Sequence, residues 1–467
     1  MRRVKSNHTE GNTASMMTAK HWETADLVRK DQEYLVHPVS NLHQLREYGP
    51  LVLCRGEDVF VWDTDGKRYI DAFAGLWNVN VGYGRREIAA AMWEQAGDLA
   101  YAPTFFGLAS PPPIELAAKL ATMFPDPLHH FHFTSGGAES NETAIKLARY
   151  YWYLKGKPEK VKIISRLMGY HGIAMGALAA TGIPAYWQGF GPRTPGFLHL
   201  TAPYSYRNAE GLDEATFVDR LVRELEETIE REGADTIAAM IGEPVMGAGG
   251  LVVPPDAYWP RMADVLRRHD ILLIFDEVIC GFGRTGTIFG MEQYGVVPDL
   301  ASFAKGITSG YVPLGGVAIS DAIFDTLAAP DQMFMHGFTY SGHPVACAAA
   351  LRNLRIIEEE HLPENAGRAG ADLLARLREL LDRPYVGDVR GKGLMMMVEV
   401  VQDKVTKAKF DPAADIAGRL TAATRKRGVI VRCSNDGVTL APPLTLREPE
   451  ITAIATAVAD ALEEVLG

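Results

Sequence analysis

Residues 272–286 read LLIFDEVICGFGRTG, an apolar run that ends in the acidic pair Asp276–Glu277 and continues into a glycine-rich segment. The run predicts a buried strand, and GFGRTG matches the glycine pattern of dinucleotide-binding turns. Such a turn follows its strand directly and opens a helix, whereas here VICG intervenes and TIFGMEQYGVVPDL shows no long helical stripe. Asp299 stands before the next apolar run instead of at its end, where a ribose-binding acid belongs. The segment therefore argues against a nucleotide site and leaves the question of what a carboxylate does at the end of a buried strand.

Composition limits the classes of protein that this chain can belong to. Its 467 residues are 47% hydrophobic and 22% charged, which is ordinary for a globular protein with a large core. The net charge of −11 comes without a basic stripe, which argues against nucleic acid or a membrane surface as partner. No apolar stretch reaches the roughly 18 residues that cross a bilayer, and no signal peptide is visible, so we expect a cytoplasmic protein.

Short apolar runs alternate with amphipathic stretches along the chain, which predicts an α/β fold with a mostly parallel sheet flanked by helices. The candidate helices are residues 140–156 and 214–233, the second of which ends in glycine. The candidate strands are HFHFTS (130–135), VKIISR (161–166), IAAMIGEP (237–244), ILLIFDEV (271–278), LASFAK (300–305) and GGVAIS (315–320).

The two ends of the chain have a different pattern. A hairpin is predicted where DVFVWD and KRYIDAFAG flank the turn TDG. Near the other end, VRGKGLMMMVEV reads as a strand between two helices, with Met395, Met396 and Met397 as core residues. We therefore expect an N-terminal segment (1–75) and a C-terminal segment (339–467) to form a small α+β domain beside a large domain (76–338).

Ligands of open parallel sheets bind at the carboxyl ends of the strands, and chemically active residues stand at those ends here. Taken alone, Lys305 in LASFAKG reads as a surface charge, and Asp276 reads as a salt-bridge partner. Together, an amine and a carboxylate at neighbouring strand ends are what pyridoxal phosphate requires: the lysine forms a Schiff base, and the carboxylate keeps the pyridine nitrogen protonated. Glu277 points to the opposite face of its strand and is predicted to be structural.

A site for the cofactor phosphate is predicted at the turn that precedes the helix 140–156. In TSGGAESNETAIKLAR two glycines allow close backbone approach, and the first N–H groups of the helix favour an anion. Taken alone, this turn favours an ordinary helix cap over a phosphate site. Tyr170 in RLMGYHGIAMGA is an aromatic that can stack on a flat ring or pack as a half-buried tyrosine.

The motifs TSGGAES, GYHG, GEPVMGAGG, FDEVICGFGRTG, SFAKGITSGYVPLG and HGFTYSGHP, in this order, cover nearly the whole chain. They resemble the class III (subgroup II) pyridoxal-phosphate aminotransferases of fold type I. Within that family, AGLWNVNVGYGRREI and HGFTYSGHPVACA are most similar to ω-transaminases that use pyruvate. The resemblance implies a homodimer or tetramer with its site at the interface, and it implies that GFGRTG is the loop after the Asp276 strand.

The resemblance also implies roles for individual residues. Lys305 is the Schiff-base lysine and proton carrier, and Asp276 lies under the pyridine nitrogen. Val278 packs on the ring face opposite Tyr170, and Glu243 lies near the cofactor without an assigned step. The phosphate is held by Gly136, Gly137 and Ala138, with Thr339 from the second subunit.

On the substrate side, the resemblance makes Trp77, Phe105 and Phe106 aromatic walls of the pocket, the phenylalanines reaching across the dimer. Core packing is the simpler interpretation of these aromatics from sequence alone. Arg432 in VIVRCSNDG matches the mobile arginine of the family, which swings in for a keto-acid carboxylate and out for an amine that lacks one. Val39, where related enzymes often carry an aromatic, leaves the shape of the donor pocket open.

Other interpretations stay open at this point. The same cofactor frame carries out decarboxylation or intramolecular amino shifts, and a dimer of this fold can also be a catalytically silent binding module. The histidines of LHHFHF could indicate a metal, but His130 and His132 lack a nearby Cys or acid in the sequence, so strand packing is preferred and no metal is expected. GGA in the phosphate turn, where serines are common, removes hydroxyl donors and leaves backbone N–H groups.

Overall fold

The computed structural model describes residues 22–467, which form two compact units. The first unit consists of the described residues up to Arg55 together with Trp62–Arg68. The second consists of Gly56–Val61 and Tyr69–Gly467, and it contains the residues proposed above to hold the cofactor and to bind substrate, whereas Val39 belongs to the first unit. A further division of this unit at residue 338 stays a prediction.

The helices are α1 (Thr24–Tyr34), α2 (Leu42–Tyr48), α3 (Ala74–Trp77), α4 (Arg86–Leu99), α5 (Pro111–Ala121), α6 (Gly137–Leu154), α7 (Met175–Ala180), α8 (Ser205–Asn208), α9 (Glu214–Glu232), α10 (Tyr258–Arg268), α11 (Asp321–Leu327), α12 (Pro344–Glu359), α13 (Leu362–Arg378), α14 (Ile416–Lys426) and α15 (Glu448–Leu466). The strands are β1 (Leu53–Glu57), β2 (Phe60–Asp63), β3 (Arg68–Asp71), β4 (Leu128–Thr134), β5 (Lys162–Arg166), β6 (Phe197–Leu200), β7 (Ile237–Gly242), β8 (Leu272–Asp276), β9 (Leu300–Phe303), β10 (Gly315–Ser320), β11 (Val386–Gly391), β12 (Met396–Val400), β13 (Val429–Ile430), β14 (Arg432–Ser434) and β15 (Gly437–Leu440).

The central sheet of the second unit has seven strands in the order β4-β10-β9-β8-β7-β5-β6. The strand β10 runs antiparallel to both of its neighbours, and the remaining neighbours pair in parallel. The predicted α/β fold with a mostly parallel sheet is therefore confirmed. The strand β6 was not predicted, because this edge strand of four residues is too short to show a period of its own.

The middle of this sheet is buried on both faces, because every residue of β7, β8, β9 and β10 is buried. Such strands read as continuous apolar runs, which is why the sequence revealed them. The helix α9 covers the sheet with an apolar stripe that includes Phe217, Leu221 and Leu225. Asp213 caps its first turn by accepting the N–H of Thr216 at 2.9 Å, and Gly233 ends the helix, as predicted.

A second sheet, β11-β12-β15-β14, is formed by the C-terminal part of the chain. The prediction of one strand over VRGKGLMMMVEV was wrong, because this stretch folds into the antiparallel pair β11 and β12. The turn between them needs Gly393, whose φ is 55° and whose added Cβ would lie 2.4 Å from the carbonyl carbon of Thr285. The three methionines of the stretch are buried core residues, as predicted.

In the first unit the predicted TDG turn is present. The Asp63 N–H donates to the carbonyl of Lys67 at 3.0 Å, and the Asp63 carboxylate accepts the N–H groups of Asp65 and Lys67.

Within the stretch from residue 22 to residue 467, no helix combines the length and the apolar composition needed to span a bilayer.

Candidate active site

Asp276 is the last residue of β8 and is 3% exposed. Its Oδ2 accepts hydrogen bonds from Asn141 Nδ2 at 2.7 Å and from His171 Nδ1 at 2.8 Å, while its Oδ1 accepts the Val278 N–H at 3.0 Å. Asn141 is itself held, because its Oδ1 accepts the Ser302 hydroxyl at 2.5 Å. The carboxylate is therefore fixed in one orientation before any ligand binds.

Lys305 follows β9 by two residues and begins a single 3₁₀ turn. Its φ of 49° lies in the left-handed region, and its side chain is half-buried. Desolvation lowers the pKa of Lys305 from its usual 10.5 to about 8, although the nearby negative charges of Asp276 and Glu243 oppose that shift. A substantial fraction of this amine is neutral near neutral pH, which is the form that attacks a carbonyl or accepts a proton.

The predicted phosphate turn stands at the start of α6, which begins at Gly137. The first N–H groups of a helix lack intrahelical acceptors, so they remain available to an anion. A Cβ added to Gly137 would lie 2.8 Å from Val278 Cγ1, whereas one added to Gly136 would meet nothing within 4 Å. The turn therefore packs closely on the side chain predicted to touch the cofactor ring, and it leaves open space beside Gly136.

Glu243 connects two loops near this site. It is 3% exposed, and it accepts the Tyr170 N–H at 3.0 Å and the Gly247 N–H at 2.8 Å. Burial raises the pKa of its carboxyl, although the two backbone donors and the His171 charge act in the other direction. Tyr170 is half-buried with its ring edge-to-face against Tyr186 at 5.6 Å, and burial raises the pKa of the Tyr170 hydroxyl.

Arg432 is the first residue of β14, opposite Thr439, and is half-buried. No carboxylate of residues 22–467 forms an ion pair with its guanidinium. Burial is the main cause of the raised pKa of Tyr170 and of the lowered pKa of Lys305. The positive charge of Arg432 has a smaller effect, which lowers both pKa values. The structure thus brings an uncompensated cation into the electrostatic environment of the lysine.

The remaining predicted residues differ in exposure. Trp77 is 2% exposed, with its ring edge-to-face against Phe73 at 5.0 Å, so the structure places it in the apolar core. Phe106 is 97% exposed, and Phe105 packs against the backbone of Gly337. Thr339 is also exposed, and its carbonyl accepts the Tyr101 hydroxyl at 2.8 Å. The two exposed residues, Phe106 and Thr339, are accessible to a second subunit.

The histidine run required one correction. His130 does have an acidic neighbour in the fold, because Asp321 lies 3.2 Å from its Nε2 and its ring stacks on Phe324 at 3.6 Å. Burial lowers the pKa of His132 to about 4, so this ring is neutral. The part of the chain that the structure describes contains no group of three or more His, Cys, Asp or Glu side chains arranged to hold a metal ion.

Two polar residues of the site were missed by sequence reasoning, Asn141 and His171. Both lie inside quoted motifs, Asn141 four residues after Gly137 on α6 and His171 directly after Tyr170. For Asn141 the available signal was a polar side chain on the buried face of α6, whereas His171 lies outside the helices and strands. No local pattern says that either side chain points to a strand end. The prediction that Glu277 is structural is confirmed, because its carboxylate accepts the N–H groups of Gly290 and Met291 at 2.8 and 2.7 Å.

The family model of the class III aminotransferases matches residues 44–462, so the chain belongs to this family. The putrescine–pyruvate aminotransferase of Pseudomonas aeruginosa is 40% identical over 436 residues, which cover 93% of this chain and 95% of that protein. A thermostable (S)-enantioselective ω-transaminase of Thermomicrobium roseum is 67% identical, with a TM-score of 0.95 over 96% of this chain and 100% of that one. The ω-transaminase of Pseudomonas jessenii in complex with PMP is 43% identical, with a TM-score of 0.91 over 94% and 98% of the two chains.

The protein is therefore a pyridoxal-phosphate-dependent aminotransferase of fold type I. The residues at the strand ends fit this cofactor. The Oδ1 of Asp276 accepts only one backbone N–H, which leaves it able to accept a ring N–H as well. The half-buried Lys305, with its lowered pKa, fits the aldehyde end of the cofactor. The open space beside the backbone of Gly136 fits the phosphate end.

Proposed function

We propose that this aminotransferase moves an amino group from an amine or ω-amino acid to pyruvate or a similar keto acid by a ping-pong mechanism. The observation that carries this proposal is Arg432, a cation in the electrostatic environment of Lys305 without a carboxylate partner among the described residues. A guanidinium that is not committed to a protein carboxylate is free to bind the carboxylate of a substrate. The names of the relatives from Pseudomonas aeruginosa and Thermomicrobium roseum support the same class of reaction.

Pyridoxal phosphate, when bound, supplies an aldehyde that takes up the amino group and a ring that withdraws electrons from the carbon losing a proton. The Nζ of Lys305 would take the proton from the donor carbon and deliver it to the cofactor carbon that carried the aldehyde. The carboxylate of Asp276, held by Asn141 and His171, would keep a proton on the ring nitrogen. Tyr170 and Val278 would pack on the ring, and the N–H groups at Gly136, Gly137 and Ala138 would hold the phosphate.

The two half-reactions place opposite demands on the pocket. The donor lacks an α-carboxylate, whereas pyruvate carries one next to its reacting carbonyl. A guanidinium that turns toward the pocket for pyruvate and away for the donor meets both demands without a second binding site. β-Alanine, taurine, γ-aminobutyrate, a diamine and an aryl-alkyl amine all satisfy this scheme, so it defines a class of donors.

We further propose that the enzyme acts in the cytoplasm as a homodimer or a tetramer built from such dimers. In this assembly Thr339, Phe105 and Phe106 of one subunit complete the site of the other. Phe106 is 97% exposed, so its ring is available for contact with a partner subunit, which supports this arrangement. We also propose that the segment 339–467 belongs to the small domain.

The test separates transfer from the other chemistry that this cofactor frame supports. Purified holoenzyme is mixed with single donors from the panel above, and the loss of the bound aldehyde form is followed by absorbance. We expect at least one amine to convert the cofactor fully, and pyruvate to restore the original spectrum with one alanine formed per site. Release of carbon dioxide, or product formation without any keto acid, would show a decarboxylase or an amino shift instead, and an unchanged spectrum with every donor would indicate a silent binding protein.

A further inference from the structure

The backbone at Lys305 adopts a conformation that is unfavourable for a residue with a side chain. Its φ is 49°, in the left-handed region, and it begins the 3₁₀ turn Lys305–Ile307. A non-glycine residue in such a region costs about 1 kcal/mol or more, and it persists only where the surrounding structure enforces it. The neighbours of this turn should therefore include groups that hold it.

Asn353 on α12 is such a group. It is fully buried, and its Nδ2 donates to the carbonyls of both Gly306 and Ile307, at 2.8 and 2.9 Å. These are the two carbonyls that directly follow Lys305. One amide group thus binds two consecutive peptide units of the lysine turn from a helix that begins about 40 residues further along the chain.

The other end of the Asn353 amide shows that this residue is not there for stability alone. Its Oδ1 is buried and has no hydrogen-bond partner among the described residues. A buried acceptor without a donor costs about 1 to 3 kcal/mol, whereas an apolar side chain of similar size avoids that cost. The benefit of an asparagine at this position lies in its two N–H donors.

The same turn also packs against Asn80. A Cβ added to Gly306 would lie 2.5 Å from Asn80 Nδ2 and 3.1 Å from Phe282 Cβ, so the turn already packs closely there. Asn80 is itself fixed, since its Nδ2 donates to the Phe282 carbonyl at 2.8 Å and its Oδ1 accepts from Arg284 at 2.8 Å. The turn is therefore packed against Asn80 on one side and hydrogen-bonded to Asn353.

We propose that Asn353 is a positioning residue for Lys305: by binding the carbonyls of Gly306 and Ile307, it keeps the lysine in the left-handed conformation that directs its Nζ to the reacting carbon. This inference rests on the proposed function, in which Lys305 carries the proton. Asn353 touches neither substrate nor cofactor in this scheme. Its loss acts on the rate of proton transfer rather than on substrate binding.

The test uses full-length holoenzyme and two matched leucine substitutions. Asn353→Leu removes the two donors at the lysine turn and keeps the branched arrangement of side-chain heavy atoms. Asn365→Leu is the control, because the Asn365 amide also donates to two backbone carbonyls, those of Leu444 at 2.5 Å and Leu446 at 3.1 Å. For each variant we would measure thermal stability, bound cofactor, the donor KM and kcat. The pH dependence of the pyruvate half-reaction is measured in enzyme loaded with pyridoxamine phosphate, where the Lys305 amine is free.

We expect Asn353→Leu to lower kcat by about 10- to 100-fold with the donor KM within about threefold, because an interaction acting only on the transition state is lost. The apparent pKa of Lys305 in the half-reaction should rise by about one unit above that of the wild type, since a relaxed turn leaves Nζ less desolvated. Asn365→Leu should lower thermal stability about as much as Asn353→Leu does. Its kcat should stay within about twofold of the wild-type value, and its pH profile should match that of the wild type.

A wild-type pH profile and kcat in folded Asn353→Leu would overturn the inference. Equal changes in kcat and in the pH profile of both leucine variants would also overturn it. If Asn353→Leu does not fold, Asn353→Ser keeps one hydroxyl donor and should show an intermediate loss of kcat; an unchanged kcat and pH profile there would also overturn it. Failure of the proposed function is recognised separately in the wild-type holoenzyme, which would then release carbon dioxide, form product without a keto acid or show no spectral change with any donor.

Discussion

The two sides of the active site differ in how completely the chain organises them. On the cofactor side, formed here by Asp276, Glu243 and Lys305, the two carboxylates accept five hydrogen bonds from protein groups. On the proposed substrate side, which includes Phe106 and Arg432, Phe106 is exposed, and the Arg432 guanidinium has no carboxylate partner within the described chain.

This difference follows from what each side has to do. A cofactor that stays bound through both half-reactions is served best by groups whose positions are fixed in advance, because no reorganisation is then needed during the reaction. A pocket that accepts two different substrates in turn needs a group that can change partners. Substitutions on the cofactor side should therefore impair both half-reactions, and those on the substrate side should impair one.

The largest effect is expected for Lys305→Ala, which removes the proton carrier. Both half-reactions should slow by about 10⁴-fold or more, as is typical when a central catalytic group is lost. The protein should still fold and retain some cofactor noncovalently, because the contacts to ring and phosphate remain. Borohydride reduction of the wild-type holoenzyme followed by peptide mapping should label Lys305, and a label on any other lysine would disprove its assignment.

The next effect is expected for Asp276→Asn, which keeps the shape of the side chain and removes its charge. Loss of the protonated ring nitrogen should slow both half-reactions by about 100- to 1,000-fold. Asp299→Asn is a matched control, since Asp299 also accepts a strand N–H, that of Leu273 at 2.8 Å, and lies outside the site. Near-normal turnover of Asp276→Asn would mean that another acid holds the ring nitrogen.

The same contrast explains which features the sequence could predict. Strand ends such as Asp276 and Lys305 follow apolar runs, so one-dimensional patterning locates them, and the order of the strands then places them at one edge of the sheet. The partners that fix them, Asn141, His171 and Asn353, lie 135, 105 and 47 residues or so from the groups they hold. No local pattern encodes such distances, and only the folded structure brings these residues together.

In the C-terminal part of the chain, the sequence pattern predicted the wrong structure. VRGKGLMMMVEV is apolar enough to read as one strand, but Gly393 at φ 55° reverses the chain within it. The glycines were visible in the sequence, whereas the close approach to Thr285 that requires one of them was not. The sequence also could not predict that Phe106 is exposed and Trp77 is buried. Both aromatics lie in stretches of mixed polar and apolar residues that show no clear helix or strand period.

On the substrate side, Arg432→Ala should affect one half-reaction only. Loss of a charge-assisted bidentate contact should raise the barrier of the pyruvate half-reaction by about 2 to 3 kcal/mol, which slows it about 30- to 150-fold. The donor half-reaction with an amine that carries no carboxylate should change little, since the guanidinium then points away. Arg432→Lys should restore only part of the activity, because an ammonium cannot form two parallel hydrogen bonds. Equal losses in both half-reactions would place Arg432 among the structural residues.

The smallest effect is expected where the cofactor side is packed most closely, at Gly137. In Gly137→Ala the new methyl group would lie 2.8 Å from Val278 Cγ1, so the valine must shift against the ring face that it is proposed to support. Moderate overpacking of this kind should cost about 1 kcal/mol, or about fivefold in the dissociation constant of the cofactor. Gly97→Ala on α4 is the control, because nothing lies within 4 Å of the added Cβ and cofactor binding should not change. Cofactor release can be followed by fluorescence after dilution, and unchanged retention in Gly137→Ala would show that Val278 does not support the ring.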